Sequence, residues 1–316
     1  MKQFISVNDV PDIGTIVAEA LQYKLAPLRD EQLGRGKRIG LLFFNPSLRT
    51  RLSTQIAARN LGMEAIVFNA GGDGWALEFE EGVVMNGASV EHIKDAAPVL
   101  GSYFDILCVR TFPTLRDQYA DYSENVLQQF IRHTGIPVVS LESATLHPLQ
   151  SFADVITIQE NKTKEKPKVV MTWAPHIKPI PQCVANSFAQ WLGAWDQAEL
   201  VIAHPEGYAL HDDFTKGATI VYNQEEALHG ADFVYVKNWS SYHNYGGMMP
   251  GNEEWMLQED KLKDAPTARI MHCLPVRRNV ELSDELLDGQ RSLVTQQAGN
   301  RVWAAQTVLS HILKGL

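Results

Sequence analysis

The chain has few cysteines and no long apolar run, and each absence excludes a class of protein. Its cysteines, Cys108, Cys183 and Cys273, are too few and too widely spaced for a disulfide framework or a thiolate zinc site. No window reaches the ~18 apolar residues that a membrane span requires, and the amino-terminal residues do not form an export signal. We therefore expect a cytoplasmic protein with no membrane partner.

Positive charge is scarce as well, because 28 Lys and Arg residues stand against 37 Asp and Glu residues. The net charge of -9 disfavours general binding to nucleic acid or to anionic membrane surfaces. An anionic ligand would therefore have to be held by a local cluster of basic side chains.

The pattern of apolar residues predicts the fold class. Short runs of Val, Ile and Leu alternate with stretches of helical period, which is typical of parallel strands covered on both faces by crossover helices. With 316 residues, the sequence predicts an α/β protein with two doubly wound parallel-sheet domains. Strands are predicted at 38–44, 63–68, 105–109, 136–141, 168–173, 200–203, 233–236 and 269–274. Helices are predicted from about 49 to 61, and at 91–100, 123–133, 147–159 and 300–313.

The domain limits are predicted from the spacing of these elements. The first domain would span residues 1–150 and the second residues 151–295, leaving 296–316 as a C-terminal segment. Two irregular stretches, 69–87 and 238–251, are expected to be functional, because long loops are uncommon inside compact domains.

The strongest local signal is the segment Asn45–Arg51 (NPSLRTR), which follows a predicted strand and opens a helix. The unpaired amide groups and the dipole of a helix start favour a bound phosphate, and hydroxyl and guanidinium groups would complete its cage. The alternative is that Ser47 only caps the helix and that the arginines form a solvated face. Gly34 and Gly36 precede the strand, so they form neither a dinucleotide fingerprint nor a P-loop.

Two further polar segments follow predicted strands. In Thr145–Gln150, His147 can donate to a carbonyl oxygen, and Gln150, one helical turn later, can bond to an amide NH2. In His272–Arg278, the proline would leave neighbouring carbonyl groups free to accept from a ligand. Ordinary alternatives are a His-Pro pair in a turn and a buried apolar Cys273.

Together the three segments resemble the signatures of the aspartate/ornithine transcarbamylase family, Ser-x-Arg-Thr-Arg, His-Pro-x-Gln and His-Cys-Leu-Pro, in the family's order. Leu48 stands where the family's ornithine and aspartate enzymes usually have Thr, at a position that contributes mainly backbone. The resemblance covers essentially the whole chain and implies the transcarbamylase fold. It also implies a last helix that returns to the first domain and a knotted crossing at the 175–182 loop.

The implied activity is transfer of the carbamoyl group of carbamoyl phosphate to an amine, without a metal or a cofactor. The resemblance implies that carbamoyl phosphate is bound by Ser47, Leu48, Arg49, Thr50, Trp75, Arg110, His147, Gln150, Cys273, Leu274 and Arg301. Of these, the catalytic residues would be Thr50, Arg110, His147 and Gln150. Trp75 would reach the site of a neighbouring subunit, which implies a homotrimer with shared active sites.

The acceptor amine is indicated by the second domain. Enzymes that use free ornithine carry Asp-x-x-x-Ser-Met-Gly, whereas residues 231–239 read ADFVYVKNW. The segment resembles the branch that acts on N-acetyl- or N-succinylornithine, in which the residue before the Glu91 helix is acidic in acetyl enzymes and apolar in succinyl enzymes. That residue is Val90, which favours N-succinylornithine as the partner of Lys237 and Arg277. The acyl-ornithine would be bound by Val90, Glu142, His176, Lys237, Leu274 and Arg277.

Several alternatives remain open from the sequence. N-acetylornithine or free ornithine could be the acceptor, and Val90 could be only a packing residue. A dinucleotide-dependent oxidoreductase and a carbamoyl phosphate-binding regulator without turnover share the fold class, and fold alone excludes neither. The first lacks its glycine fingerprint, and the intact set of carbamoyl-polarising residues counts against the second.

Overall fold

The computed structural model describes all 316 residues and divides into two compact units. One unit comprises Met1–Leu149 and Arg301–Leu316, and the other comprises Gln150–Asn300. Both divisions fall inside helices, the first beside residue 150 and the second somewhat beyond residue 295, the limits expected from the sequence. No helix combines the length and the apolar character needed to cross a lipid bilayer.

The strands are numbered in chain order. They are β1 (Arg38–Phe43), β2 (Glu64–Asn69), β3 (Leu77–Glu78), β4 (Glu91–His92), β5 (Ile106–Arg110), β6 (Val138–Glu142), β7 (Lys168–Trp173), β8 (Glu199–Ala203), β9 (Thr219–Val221), β10 (Phe233–Lys237) and β11 (Arg269–Met271).

The α-helices are numbered in the same way, and three short 3₁₀ helices lie at Val7–Asp9, Glu253–Trp255 and Glu259–Leu262. The α-helices are α1 (Ile13–Leu25), α2 (Arg49–Asn60), α3 (Ile93–Tyr103), α4 (Gln118–Tyr122), α5 (Asn125–His133), α6 (Pro148–Asn161), α7 (Cys183–Trp195), α8 (Gln224–Leu228), α9 (Asp284–Asp288) and α10 (Val294–Leu313).

The first unit is built on a parallel sheet with the strand order β2-β1-β5-β6. The chain runs outward from β1 to β2 and then returns to the other side of β1 through β5, so the strand order reverses between β1 and β5. Ligands of open α/β sheets bind at the carboxyl ends of strands at such a reversal. Here those ends lead into the segment Asn45–Arg51 and Arg110.

The second unit has a parallel sheet of five strands in the order β11-β10-β7-β8-β9. Its order reverses between β7 and β10, whose carboxyl ends are Trp173 and Lys237. The loops after these strands are joined by hydrogen bonds from the amide of Ser240 to Ile180 O (2.9 Å) and from Gln182 Nε2 to Ser240 O (2.9 Å). The loop that carries His176 and the loop that follows Lys237 are therefore held together at the carboxyl ends of the central strands.

Each unit has its own apolar core. In the first, buried residues of β1, β5 and β6 pack with α3 and α5, for example Leu107 with Ile93 and Phe130. In the second, Phe188 stacks on Tyr235 at 4.4 Å and Phe152 stacks on Trp191 at 5.4 Å between ring centroids. Burying side chains of this size stabilises a fold by roughly 1.5–3 kcal/mol each, so the sheets are rigid platforms for their loops.

The eight predicted strands are confirmed, but several predicted boundaries differ from the observed ones. The helix predicted at 123–133 begins at Asn125, because Glu124 lies in the left-handed region (φ 54) and separates it from the short helix α4. Strand β11 ends at Met271 and not at residue 274, because the amide of His272 bonds to the side chain of Gln297 and leaves the ladder. Helix α10 begins at Val294, before the predicted residue 300, since the side chain of Asn300 is satisfied inside the helix by Thr157 and Glu160.

Candidate active site

The start of α2 is arranged as an anion-binding end of a helix. Leu48 is its N-cap residue and makes no side-chain capping bond, so the alternative that Ser47 merely caps this helix is wrong. The preceding Asn45 bonds elsewhere, because its Oδ1 accepts from the amide of Phe112 at 2.8 Å. That bond ties the loop after β1 to the loop after β5, and the first amide groups of α2 receive no side-chain cap.

Thr50 is the centre of a buried group of basic side chains. Its Oγ1 accepts from Arg110 Nη1 at 3.2 Å and from Arg301 Nη2 at 2.6 Å. Thr50, Arg110, His147 and Arg301 are each at most 7% exposed. The fold thus brings together, within the first unit, residues from α2, β5, the start of α6 and α10 that lie far apart in the sequence.

Arg110 is neutralised by a carboxylate. Its Nη1 lies 2.5 Å from Oε2 of Glu142, at the end of the neighbouring strand, and its guanidinium lies 4.6 Å from the centre of the Phe112 ring. Glu142 was expected to bind the acyl-ornithine, whereas its contacts within the first unit are with Arg110 and His147, which were expected to bind carbamoyl phosphate. One acidic side chain thus fixes the orientation of Arg110.

His147 is a neutral imidazole in this cluster. Burial lowers its pKa well below the usual 6.5, and the charges of Arg301, Arg110 and Arg49 lower it further. Its Nε2 lies 3.4 Å from Arg301 Nη2, which can only donate, so Nε2 accepts and the proton resides on Nδ1. The 3.5 Å contact of Nε2 with Glu142 is therefore not an ion pair, and the buried Nδ1 has no hydrogen-bond partner in the chain.

Glu124 was not recognised in the sequence, although it holds the segment that precedes His147. Its carboxylate accepts from Ser143 Oγ (2.6 Å), from the amide of Ala144 (3.2 Å) and from the amide of Thr145 (2.7 Å). Burial raises the pKa of Glu124 in spite of these hydrogen bonds, which lower it. Its partners lie about twenty residues away along the chain, so no local pattern could have identified it.

The second unit has a separate cluster of polar side chains beyond the carboxyl ends of its strands. Arg277 Nε donates to His176 Nε2 at 3.1 Å, and the amide of Arg277 donates to Glu281 Oε2 at 2.7 Å. The other oxygen of Glu281 lies 3.4 Å from His272 Nε2, and Lys237 Nζ donates to Asn238 O at 2.9 Å. His176, Lys237 and Arg277 are therefore close to one acidic residue, Glu281, which the sequence analysis missed.

The electrostatics of this group follow from its charges. Burial would raise the pKa of Glu281, but the hydrogen bond and charge of His272, the charge of Lys237 and the amide of Arg277 together lower it to about 2. Burial lowers the pKa of His176, and Lys237 and Arg277 lower it further. The group therefore contains an ionised carboxylate, a neutral His176 and two cations.

Of the second-unit residues expected to hold the carbamoyl group, Gln150 and Cys273 are buried and Leu274 is half-buried. Gln150 Nε2 donates to Asp154 Oδ1 at 2.8 Å, and Leu274 donates its amide to His272 Nδ1 at 2.9 Å. Cys273 is buried and forms no disulfide. Gln150 begins the second unit at the first turn of α6, directly after the first-unit residue Leu149.

Trp75 and Val90 belong to one exposed element. Their segments form the two-stranded pair β3 and β4, where the amide of Val90 donates to Ala76 O (2.9 Å) and Trp75 Nε1 donates to Glu91 Oε2 (2.7 Å). Trp75 is 56% exposed and Val90 is 64% exposed. Val90 is thus not packed in the isolated chain. No three His, Cys, Asp or Glu side chains are grouped as ligands for a metal ion.

Two parallel-sheet units, one with a buried basic cluster at the point of strand reversal, define an α/β protein with a site suited to a small anion. The chain belongs to the aspartate/ornithine carbamoyltransferase family. Residues 2–160 match the domain described as "Aspartate/ornithine carbamoyltransferase, carbamoyl-P binding domain", and residues 182–312 match the domain described as "Aspartate/ornithine carbamoyltransferase, Asp/Orn binding domain". The predicted family, the α/β fold and the carbamoyltransferase class are thereby confirmed.

Three proteins illustrate where the chain lies within this family. It is 47% identical to N-succinylornithine carbamoyltransferase of Bacteroides thetaiotaomicron, over 100% of both chains. It is 32% identical to N-acetylornithine carbamoyltransferase of Xylella fastidiosa, over 98% of both chains. A crystal structure of N-acetyl-L-ornithine transcarbamylase, in which one glutamate is replaced by valine, superposes with a TM-score of 0.93 at 30% identity, covering 99% of this chain and 100% of that one. That variant is complexed with carbamyl phosphate and N-succinyl-L-norvaline.

Proposed function

We propose that the protein transfers the carbamoyl group of carbamoyl phosphate to the δ-amine of N-succinyl-L-ornithine, giving N-succinyl-L-citrulline and phosphate, in arginine biosynthesis. The observation that carries the choice of acyl group is the 47% identity, over the full length, to a relative named for N-succinylornithine, against 32% to one named for N-acetylornithine. In a related acetyl enzyme, a glutamate-to-valine change accompanies an N-succinyl ligand. Val90 of this chain supports the same reading.

The first unit would bind the phosphate and polarise the carbamoyl group. Ser47, Leu48, Arg49 and Thr50 would supply the helix start, and Arg110 and Arg301 would add fixed positive charge. A neutral His147 with a buried donor nitrogen suits a hydrogen bond to the carbamoyl oxygen, because its charge state does not change as the oxyanion forms.

The reaction then depends mainly on how the protein positions the reactants, and less on covalent catalysis by the protein. The δ-amine attacks the carbamoyl carbon and the donors stabilise the negative charge on its oxygen; the bond to phosphate then breaks, and the phosphate leaves with the electron pair and takes up the proton lost by the amine. Gln150, Cys273 and Leu274 would hold the carbamoyl NH2 by accepting its hydrogens.

The second unit would bind the acyl-ornithine. Lys237 and Arg277 would pair with carboxylates of the substrate. When no substrate is bound, Glu281 would keep these cations in place. His176 accepts from Arg277 and so orients that guanidinium. Together with Leu274, these residues carry the second-unit part of the proposed acceptor site.

The proposal includes a homotrimer with shared active sites. Leu48, Leu52 and Ile56 recur every four residues along α2 and are all exposed, so this helix presents an apolar stripe of the kind found in subunit interfaces. The exposed Trp75 and Val90 lie on one hydrogen-bonded element and would enter a neighbouring site together. A cytoplasmic location is also proposed, since none of the three cysteines forms a disulfide.

The decisive experiment measures the formation of ureido product from carbamoyl phosphate with N-succinylornithine, N-acetylornithine and ornithine in turn. The proposal requires kcat/KM for N-succinylornithine to exceed the other two by at least about tenfold, a difference of about 1.4 kcal/mol in transition-state binding. A preference for N-acetylornithine would show that the acceptor carries an acetyl group, and it would leave the proposed carbamoyl transfer unchanged. Binding of carbamoyl phosphate without any turnover would instead make the protein a regulator.

A further inference from the structure

A fully buried carboxylate in the second unit connects two of the proposed carbamoyl-binding segments. Asp154, on α6, has no exposed surface, and its Oδ1 accepts from Gln150 Nε2 at 2.8 Å and from Gln297 Nε2 at 2.7 Å. The Oε1 of Gln297 in turn accepts from the amide of His272 at 2.9 Å. One oxygen atom therefore receives donors from α6 and α10.

The directions of both glutamine amides follow from this arrangement. The amide of His272 is a donor, so Gln297 must present its oxygen to His272 and its NH2 to Asp154. Because Oδ1 of Asp154 is thus an acceptor, Gln150 must also present its NH2 there. The oxygen of the Gln150 amide is consequently directed away from Asp154.

We propose that Asp154 is a positioning residue that makes Gln150 an obligate acceptor for the carbamoyl NH2 and, through Gln297, holds the His272–Leu274 segment. The inference rests on the proposed function. Without Asp154, the amide of Gln150 could turn over and present NH2 to an NH2 group, which is repulsive. Acetyl phosphate carries a methyl group where carbamoyl phosphate carries NH2, so a fixed acceptor rejects it by being left unpaired.

A purely structural role for Asp154 makes a different prediction. Such a residue would only join α6 to α10, and an apolar side chain of similar volume is often neutral or stabilising in place of a buried charged group. Its loss would change the melting temperature and the fraction of active protein. It would not change the preference for carbamoyl phosphate over acetyl phosphate.

The test compares KM for carbamoyl phosphate with the competitive inhibition constant of acetyl phosphate, in wild type and in folded variants checked by circular dichroism. For Asp154→Leu we expect kcat/KM to fall about 100-fold and the discrimination ratio to fall about tenfold, as for loss of one oriented polar contact. For Asp154→Asn, whose oxygen can accept both donors, both quantities should stay within about fivefold of wild type.

A pair of neighbouring glutamines supplies a matched control. Gln297→Met removes the bonds to Asp154 and His272, whereas Gln296→Met, on the same helix, removes a bond to Glu160. Only the first should lower kcat/KM, by about tenfold, and this pair decides the question if Asp154→Leu does not fold. An unchanged discrimination ratio in folded Asp154→Leu, or equal effects of the two Met variants, would overturn the positioning role alone. Wild-type protein that forms no ureido product would overturn the proposed function and this inference with it.

Discussion

The two units hold their proposed ligand-binding residues in different ways. In the first unit, Thr50, Arg110, His147 and Arg301 are buried and bonded to one another. In the second, Arg277 is exposed and His176 is half-buried, although Lys237 is buried. A buried network fixes the position of its donors, whereas exposed side chains on loops can be exchanged at little cost in stability.

This difference matches the chemistry assigned to each unit. Phosphate and the carbamoyl group take part in the reaction and need donors of fixed position. The acyl group is remote from the reacting atoms and only has to be recognised. We therefore expect changes in the first cluster to abolish turnover in the subunit that carries them, and changes in the exposed residues to affect a neighbouring site or the specificity.

The largest effect is expected for Arg110→Ala. Loss of a charge-assisted donor should lower kcat/KM by roughly 10³-fold, about 4 kcal/mol. The variant should also be less stable by about 3 kcal/mol, because Glu142 loses the cation that neutralises it. Adding Glu142→Gln should restore the urea midpoint but not the activity. An active Arg110→Ala protein would show that the buried cluster of the first unit is not essential for turnover, and the two units would then not differ in the way described.

Trp75 tests whether the exposed element acts on a neighbouring subunit. Trp75→Ala and Arg110→Ala proteins should each be inactive, but a mixture allowed to exchange subunits should recover about one quarter of wild-type activity. In random trimers that share sites, this is the fraction with an intact residue from each subunit. Mixed trimers, verified by mass, that stay inactive would show that Trp75 serves its own chain.

Val90 tests whether the exposed element sets the acyl specificity. Val90→Glu should move the ratio of kcat/KM from N-succinylornithine toward N-acetylornithine by more than about tenfold, since like charges then face each other in the assembled site. Val90→Gln has the same length without the charge and should move the ratio much less. Equal shifts in both variants would identify a steric effect instead.

The smallest effect concerns the neutral His147. Because its pKa is depressed in the folded state, the unfolded chain binds a proton below pH 6.5 that the folded chain does not, so stability falls as pH falls. Between pH 7.5 and pH 5.5, the wild type should lose about 1.4 kcal/mol more unfolding free energy than His147→Gln. Urea titrations at the two pH values measure this difference. Identical losses would mean that His147 is charged in the folded protein.

The sequence predicted those features that leave a local pattern. Strand β7 was placed at its observed limits, and the residues of the three signatures could be named before their contacts were known. Helix α1 was missed, although Asp12 is a recognisable N-cap whose Oδ2 accepts from the amide of Thr15 at 2.7 Å. Helix α7 was missed because it is buried on nearly all sides, so it shows no amphipathic period.

Apart from Glu142, the acidic residues near the site were not predicted from the sequence. Asp154 and Gln297 are 143 residues apart, and Glu124 and Thr145 are 21 residues apart, so only the fold brings these pairs together. A single acidic residue in a sequence is usually solvated and carries no signal of its own. The knotted crossing at the 175–182 loop stays a prediction.

The hydrogen bonds of the Thr50 hydroxyl determine which ligand atoms this part of the cluster can contact. Both lone pairs are engaged, one by Arg110 and one by Arg301, so the hydroxyl has only its hydrogen left to offer. The two guanidinium groups likewise carry hydrogens and no acceptor. The Thr50 hydroxyl and the two guanidinium groups therefore offer a ligand only donors, and a bare phosphoryl oxygen fits them where a protonated oxygen or an ammonium group would set hydrogen against hydrogen.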